Sequence, residues 1–167
     1  VSIFIIIKEA LNDKINTKEE LEKFSTTPIL GTIFSKNKEA TATRRLSEDL
    51  QTIRINLTYT FAKDKAHRVI GLTSTISGEG KTFVSLNIAH SLALTGKKTV
   101  VLGLDLRAPK LLQYLDLKKG AKGVSDFILN HDMTAEDIAF PIEGTTDLFM
   151  IPSGTIPPNP SELLMLP

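Results

Sequence analysis

The chain has 167 residues, of which 41% are hydrophobic and 23% charged, and its formal charge is +1. That is enough apolar content for one compact core and too little charge imbalance for a disordered tail or a polycation, so nucleic acid is not an implied partner. With no cysteine, disulfides and thiolate metal sites are excluded, and His67, His90 and His131 are too scattered to form a ligand set.

No complete signal peptide or apolar span of about 20 residues is present. The opening run Val1 to Ile7, followed by Lys8 and Glu9, reads either as a buried element or as the last turns of a membrane span. Ile7 to Leu11 with Ile15, and then Thr17 to Phe24, predict two short helical pieces. Thr17 is the cap of the second and Glu20 its capping-box partner. Pro28 ends that region, and Ile29 to Ile33 reads as a short strand or extended arm. The polar stretch Ser35 to Ala42 reads as a loop. From Thr43 to Phe61, apolar residues at Leu46, Leu50, Ile53, Leu57 and Phe61 put one stripe along a long helix.

Arg68 to Thr73 reads as a buried strand, Phe83 to Thr95 as a helix stopped by Gly96, and Thr99 to Leu104 as a second buried strand. Strand, helix and strand in this order predict a βαβ unit with parallel pairing. Short helices are expected at Leu111 to Leu115, Val124 to Leu129 and Thr134 to Ile138. Leu148 to Pro152 reads as a further strand, and Pro157 to Pro160 as a rigid loop leading to a helix capped by Ser161.

Between the first strand and its helix stands Ser77-Gly78-Glu79-Gly80-Lys81-Thr82. Backbone N–H groups in Gly78 to Thr82 can close around an anion, and the helix N-terminus adds unpaired donors and the positive end of its dipole. Gly78 and Gly80 permit the close approach that a side chain would block. Lys81 is placed to reach the β and γ phosphates of a nucleotide, and Thr82 to coordinate Mg²⁺. Thr75 stands where the general P-loop pattern has its first glycine, which weakens the pattern match but not the physics of the nearer donors. A dinucleotide fold explains these residues poorly, since it needs neither Lys81 nor Thr82.

Asp105 and Arg107 follow the second strand directly, at the carboxyl edge where open parallel sheets bind ligands. Asp105 can hold Mg²⁺ or its water, or take a proton from an acceptor hydroxyl, and Arg107 can contact phosphate or a neighbouring subunit. The competing reading is a helix-cap aspartate paired with the arginine.

Four separated blocks resemble the bacterial tyrosine kinases of capsular and exopolysaccharide export, relatives of the deviant P-loop ATPases. Thr73 to Thr82 is similar to the family's Walker A segment, Val101 to Pro109 to its DxDxRxP motif, and Lys122 to Phe127 to its GLSD segment. Ile151 to Leu164 is similar to its PxGxxPPNPxELL stretch. The resemblance covers roughly residues 28 to 167 and implies an α/β fold: a P-loop NTPase-like, mostly parallel sheet flanked by helices and incomplete at the C-terminus. Residues 1–27 would then be a membrane-proximal helical arm and 28–167 the N-terminal portion of the kinase domain.

Carried over by position, the resemblance implies Lys81, Asp105 and Arg107 as catalytic residues and Ser77, Gly78, Glu79, Gly80, Lys81, Thr82 and Phe83 as the ATP cradle. Thr82 and Asp105 would be the Mg²⁺ ligands. Gly103 replaces the first aspartate of the DxD pair, and Ile76 stands where partitioning ATPases carry a signature lysine. Glu48, Gln51 and Arg54 fall at the family's ExxRxxR positions, with Gln51 in place of an arginine, and imply a ring-like homo-oligomer.

The further implications are autophosphorylation of a tyrosine-rich tail on a neighbouring copy, contact with the polysaccharide export machinery, and a place at the cytoplasmic face of the inner membrane, anchored in the full-length protein. Tyr59 and Tyr114 read as packing residues. A non-catalytic nucleotide-binding scaffold of the same machinery is the alternative, motivated by Gly103 and Gln51.

Overall fold

The structure is a computed structural model that describes residues 17–33, 40–61, 67–114 and 120–165. The chain divides into two compact units, Val1–Leu57 and Thr58–Pro167.

In the first unit, helix α1 (Lys18–Phe24) begins at Thr17 with the expected reciprocal cap. The Glu20 N–H donates to Thr17 Oγ1 at 3.2 Å, and the Thr17 N–H to Glu20 Oε2 at 3.3 Å. Two of the amides that a helix start leaves without partners are thereby satisfied. Helix α2 (Ala40–Thr60) realises the long apolar stripe, with Leu50 and Ile53 buried. Ile29 to Ile33 forms an arm rather than a strand. Asn56 Nδ2 donates to Leu30 O at 2.6 Å, and a Cβ on Gly31 would lie 2.6 Å from Ile53 Cγ1, so backbone passes directly over α2 there. The expected helical piece at 7–15 and most of the polar loop at 35–42 lie outside the described residues.

The second unit is built on helix α3 (Lys81–Ala93) and a three-stranded sheet of β1 (Thr99–Leu102), β2 (Phe140–Pro141) and β3 (Leu148–Ile151), in the order β1-β3-β2. β1 and β3 are parallel, with Thr99 opposite Leu148 and Leu102 opposite Ile151; β2 is antiparallel to β3. Ala89 and Ala93 of α3 pack with Val101, Leu111, Leu148 and Met150 to form the core. Small residues on the helix let it lie close to the strands, and Leu148 and Met150 are almost completely buried as a result. Gly96, in the left-handed region at φ 75°, turns the chain from α3 into β1 as expected.

Several expectations are corrected here. The βαβ unit does not form as predicted, because residues 67–74 have no strand partner among the described residues and Val69 is 92% exposed. An apolar, β-branched run favours extended backbone, but a ladder needs a neighbour. The neighbour of β1 is β3, a segment some 50 residues further on. Thr134 to Ile138 forms turns instead of a helix; Asp137 accepts both the N–H and the hydroxyl of Thr134, at 2.8 and 2.9 Å, and holds the chain in that turn. Tyr59 is 82% exposed and so is no core packing residue, whereas the Tyr114 side chain lies outside the described residues.

The remaining elements are a 3-10 turn at Leu111–Tyr114, helix α4 (Val124–Leu129) and helix α5 (Pro160–Leu163). The N-cap of α5 is Asn159 and not Ser161, because Pro160, with its fixed φ, takes the first helical position.

Candidate functional site

Two glycines shape the loop from Ser74 to Gly80. Gly78 and Gly80 have φ of 92° and 93°, a region closed to most side chains, and open space surrounds the position a Cβ would take on either. Gly80 is the N-cap of α3, so Lys81 and Thr82 open the helix. The bond from the Val84 N–H to Gly80 O, 2.9 Å, comes after the amides of Lys81, Thr82 and Phe83. Those three N–H groups therefore lie in the helix's first turn, before its hydrogen-bond ladder, at the positive end of the dipole. The expected cradle of Ser77, Gly78, Glu79, Gly80, Lys81, Thr82 and Phe83 thus sits at a helix start.

Side chains stiffen this loop. Lys81 Nζ reaches back to donate to Ser74 Oγ at 2.7 Å, which folds the ammonium over the turn it follows. Glu79 Oε2 accepts the Ile76 N–H at 3.2 Å. That backbone donor holds the Glu79 carboxyl below its ordinary range against the opposing effect of desolvation, with Ser74, Thr75 and the Lys81 charge adding to it. Glu79 therefore ties the loop together from within.

Asp105 emerges past the carboxyl end of β1. Since Gly96 returns the chain tightly from α3 into β1 and the two pack together, α3 runs back antiparallel to the strand. A helix of 13 residues is about 20 Å long, comparable with the run from Thr99 to Asp105, so the cradle and Asp105 occupy the same edge of the sheet. Asp105 bonds within its own turn: Oδ1 accepts the N–H groups of Arg107 at 3.3 Å and Ala108 at 3.0 Å. The competing reading is thereby corrected: Asp105 caps a turn through backbone amides, not a helix, and among the described residues it makes no ion pair with Arg107. The Arg107 side chain is exposed beside Pro157 to Glu162, along an open groove.

Because β3 is parallel to β1, the segment after it reaches the same edge. Ser153, 2% exposed, donates its hydroxyl to Gly103 O at 2.8 Å and Asp105 O at 3.1 Å. A Cβ on Gly103 would stand 3.1 Å from both Ser153 N and Ser153 Oγ, so the place of the family's first aspartate is tightly enclosed here. Asp126 of α4 accepts the Gly123 N–H at 2.9 Å, the Thr155 N–H at 3.2 Å and the Thr155 hydroxyl at 2.8 Å. Burial pushes the Asp126 carboxyl up, but these donors outweigh it and hold the group below its ordinary range. Sequence reasoning gave Ser153, Asp126 and Thr155 no role. The signals available were their place in the blocks Lys122 to Phe127 and Ile151 to Leu164, and the spacing of Gly123 and Asp126, that of an N-cap and its third helical residue.

A divalent cation fits the donors present. Among the described residues, no group of three or more His, Cys, Asp or Glu side chains could hold a metal unaided. The Thr82 hydroxyl and the Asp105 carboxylate are hard oxygen donors of the kind that bind Mg²⁺ together with phosphate oxygens and water. The residues expected to join copies, Glu48, Gln51 and Arg54, lie on α2, where Glu48 Oε1 is paired with Arg44 Nε at 3.0 Å and Gln51 is exposed. Among the described residues no helix is long and apolar enough to cross a membrane, and the run at 1–7 lies outside them.

No protein-family model matches the chain. It is 32% identical over 119 residues to the putative tyrosine-protein kinase CapB of Staphylococcus aureus, a match covering 71% of this chain and 50% of the relative. Against the tyrosine-protein kinase YwqD of Bacillus subtilis it is 32% identical over 118 residues, covering 71% and 48%. The chain spans about half the length of the curated relatives it matches. Among solved structures, the chimeric protein CapA2B2 superposes with a TM-score of 0.74 at 32% identity, covering 89% of this chain and 65% of that one. The BceF tyrosine kinase domain gives 0.75 at 27%, covering 90% and 67%. The kinase domain of the Escherichia coli tyrosine kinase ETK, at 23% identity and TM-score 0.76, shares the fold over 90% of this chain and 64% of that one. With its glycine-shaped cradle opening a helix beside an aspartate at the sheet's carboxyl edge, the chain belongs to the family of bacterial tyrosine kinases.

Proposed function

We propose that the chain supplies the nucleotide-binding part of an ATP-dependent protein-tyrosine autokinase that regulates polysaccharide polymerisation and export. The observation that carries this reading is Gly80 in the left-handed region as the N-cap of α3, with Lys81 folded back over the turn at 2.7 Å from Ser74. A helix start so arranged favours a polyphosphate, and the likeness to named tyrosine kinases supports tyrosine as the acceptor.

In this reading the amides from Ser77 to Phe83 hold the β and γ phosphates, and the Lys81 ammonium exchanges Ser74 for a phosphate oxygen. Thr82 and Asp105 would hold Mg²⁺, which when bound neutralises charge on the transferring group. Alternatively to holding the metal, Asp105 takes up the proton of the tyrosine hydroxyl as the γ-phosphoryl group passes to that oxygen and ADP leaves, while Arg107 stabilises charge on the phosphoryl oxygens or contacts the next subunit. Catalysis is then mainly positioning and preorganised charge.

Residues 28–167 would belong to the kinase domain and 1–27 to an arm at the cytoplasmic face of the inner membrane. Glu48, Gln51 and Arg54 would join copies in a ring, so that each presents a tyrosine-rich tail to its neighbour's site. Incubation with γ-labelled ATP and Mg²⁺ should label tyrosine. Lys81→Ala should abolish labelling and weaken Mg²⁺-ATP binding by about ten- to a hundredfold, the scale of one hydrogen bond to a charged group. Equal binding by the variant would overturn the cradle; binding without tyrosine labelling would leave a nucleotide-dependent scaffold.

A further inference from the structure

Ser153 and Asp126 lie outside every role given to the site above, yet they connect the buried frame of the sheet to the Asp105 turn. The hydroxyl of Ser153 is buried and has a single proton, which it shares between the carbonyls of Gly103 and Asp105. Those two carbonyls flank Leu104, so one side chain from the loop after β3 fixes the path of the backbone leaving β1. The Gly103 N–H completes the tie by donating to Ile151 O at 2.9 Å.

The loop that carries Ser153 is itself fastened at three points. Val124 N–H donates to Pro152 O at 2.9 Å, Ser125 N–H to Ser153 O at 3.0 Å, and Ser125 Oγ to Thr155 O at 2.6 Å. Asp126 closes the far side by accepting from Gly123 and from both donors of Thr155. At the other end of this chain of bonds, Asp105 commits Oδ1 to the amides of Arg107 and Ala108, which leaves Oδ2 for a cation or a proton.

We propose that Ser153 is a positioning residue for Asp105, held in place by Asp126 through Thr155, so that the start of α4 sets how well Asp105 engages the metal-nucleotide complex. The proposal rests on the reading of Asp105 as a metal partner. Gly103 sharpens it: with no first aspartate in the pair, the remaining carboxylate has no second one to compensate for a misplaced turn. The enclosed space at Gly103 and the shared Ser153 hydroxyl are two sides of one arrangement, in which the amide and hydroxyl of Ser153, with a methyl of Leu111, occupy the room a side chain would need.

The test measures ATP affinity by calorimetry with Mg²⁺ and in EDTA, and amide hydrogen exchange at Arg107 and Ala108 in the nucleotide-free protein. The variants are Ser153→Ala, Ser153→Thr, Thr155→Val, Asp105→Asn and the double variant of Ser153→Ala with Asp105→Asn. Ser153→Ala should reduce the gain in affinity from Mg²⁺ by about three- to tenfold, the effect of one buried hydrogen bond. It should leave affinity in EDTA within about twofold and speed exchange at Arg107 and Ala108 by a similar three- to tenfold. Ser153→Thr, which keeps the hydroxyl, should restore both.

Thr155→Val, at an exposed position, should act in the same direction more weakly, and it keeps the question answerable where Ser153→Ala fails to fold. In the Asp105→Asn background Ser153→Ala should add nothing, because the carboxylate through which it acts is gone. An unchanged Mg²⁺ gain in Ser153→Ala, an equal loss with and without Mg²⁺, or full additivity in the double variant would overturn the positioning role while Asp105 stands. If Asp105→Asn alone leaves the Mg²⁺ gain intact, the reading of Asp105 fails first and the positioning role goes with it.

Discussion

Replacing Gly123 by alanine tests whether the carboxyl-edge loop is held by backbone-to-backbone contact. Gly123 has φ −157°, an extended conformation open to any residue, so a substitution there meets no backbone strain. What it meets is the chain opposite: a Cβ would lie 2.1 Å from Pro152 O, 2.5 Å from Gly154 N and 2.7 Å from the Pro152 carbonyl carbon. These are backbone atoms and cannot rotate away. Relief requires α4 and the loop after β3 to separate by about 1.3 Å, since ordinary contact begins near 3.4 Å.

Such a shift lengthens the bonds from Val124 to Pro152 and from Ser125 to Ser153, each of net value about 1 kcal/mol. Overpacking by itself costs about 1–3 kcal/mol. Gly123→Ala should therefore destabilise the protein by about 3–5 kcal/mol, a fall of roughly 6–20 °C in melting temperature at this chain length. Gly71→Ala is the matched control: nothing lies within 4 Å of its Cβ position and its φ is not in the left-handed range, so it should be neutral or slightly stabilising. Urea unfolding of both variants measures the difference. A Gly123→Ala protein within about 0.5 kcal/mol of the parent would refute the claim that this approach is rigid, since surface substitutions fall in that range.

Asp126→Asn should flatten the acid limb of stability: a carboxyl held low contributes stability that is present above its unfolded pKa and lost as pH falls through the folded one. In acid-unfolding curves the parent and variant should differ near neutrality and converge as pH falls below the unfolded value and through the lowered folded one; a constant difference across the range would contradict the hydrogen-bonded carboxylate. Thr17→Ala should cost helix α1 about 1 kcal/mol, read as faster amide exchange at Glu20, the residue whose N–H the hydroxyl accepts. Glu48→Ala should change monomer stability by less than about 0.5 kcal/mol, because its pair with Arg44 is exposed on both sides. Sedimentation should meanwhile show weaker self-association if Glu48 serves a subunit contact.

Helix α2 shows how far local pattern reaches. A stripe spaced by three and four residues requires a helix whatever surrounds it, and Leu50 and Ile53 are the buried positions that stripe selects. The cap at Thr17, the stop at Gly96 and the glycine turn that opens α3 were legible for the same reason: each is a contract among residues a few positions apart, enforced by dihedral limits and unpaired amides. Arg68 to Thr73 marks the boundary of that reasoning. Its composition favours extended backbone, but whether it enters a ladder depends on which distant segment lies beside it, and β3 took the place beside β1. The two-residue strand β2 carries no periodicity of its own and exists only because β3 offers it an edge.

The site divides along the same line. Lys81, Thr82 and Asp105 could be named from their positions relative to a strand and a helix. Ser153 and Asp126 could not, because their meaning lies in bonds spanning 48 to 50 and 29 residues, from Ser153 to Asp105 and Gly103 and from Thr155 to Asp126. By itself the sequence determined helices α1 to α4, the cap at Thr17 and the glycine turn ahead of α3, all set by interactions within a turn or two, but neither the turns at Thr134 to Ile138 nor the cap at Asn159. Only the tertiary structure decided which strands pair and which hydroxyl fixes the Asp105 turn, since those contacts form only once packing has brought distant backbone within hydrogen-bonding distance.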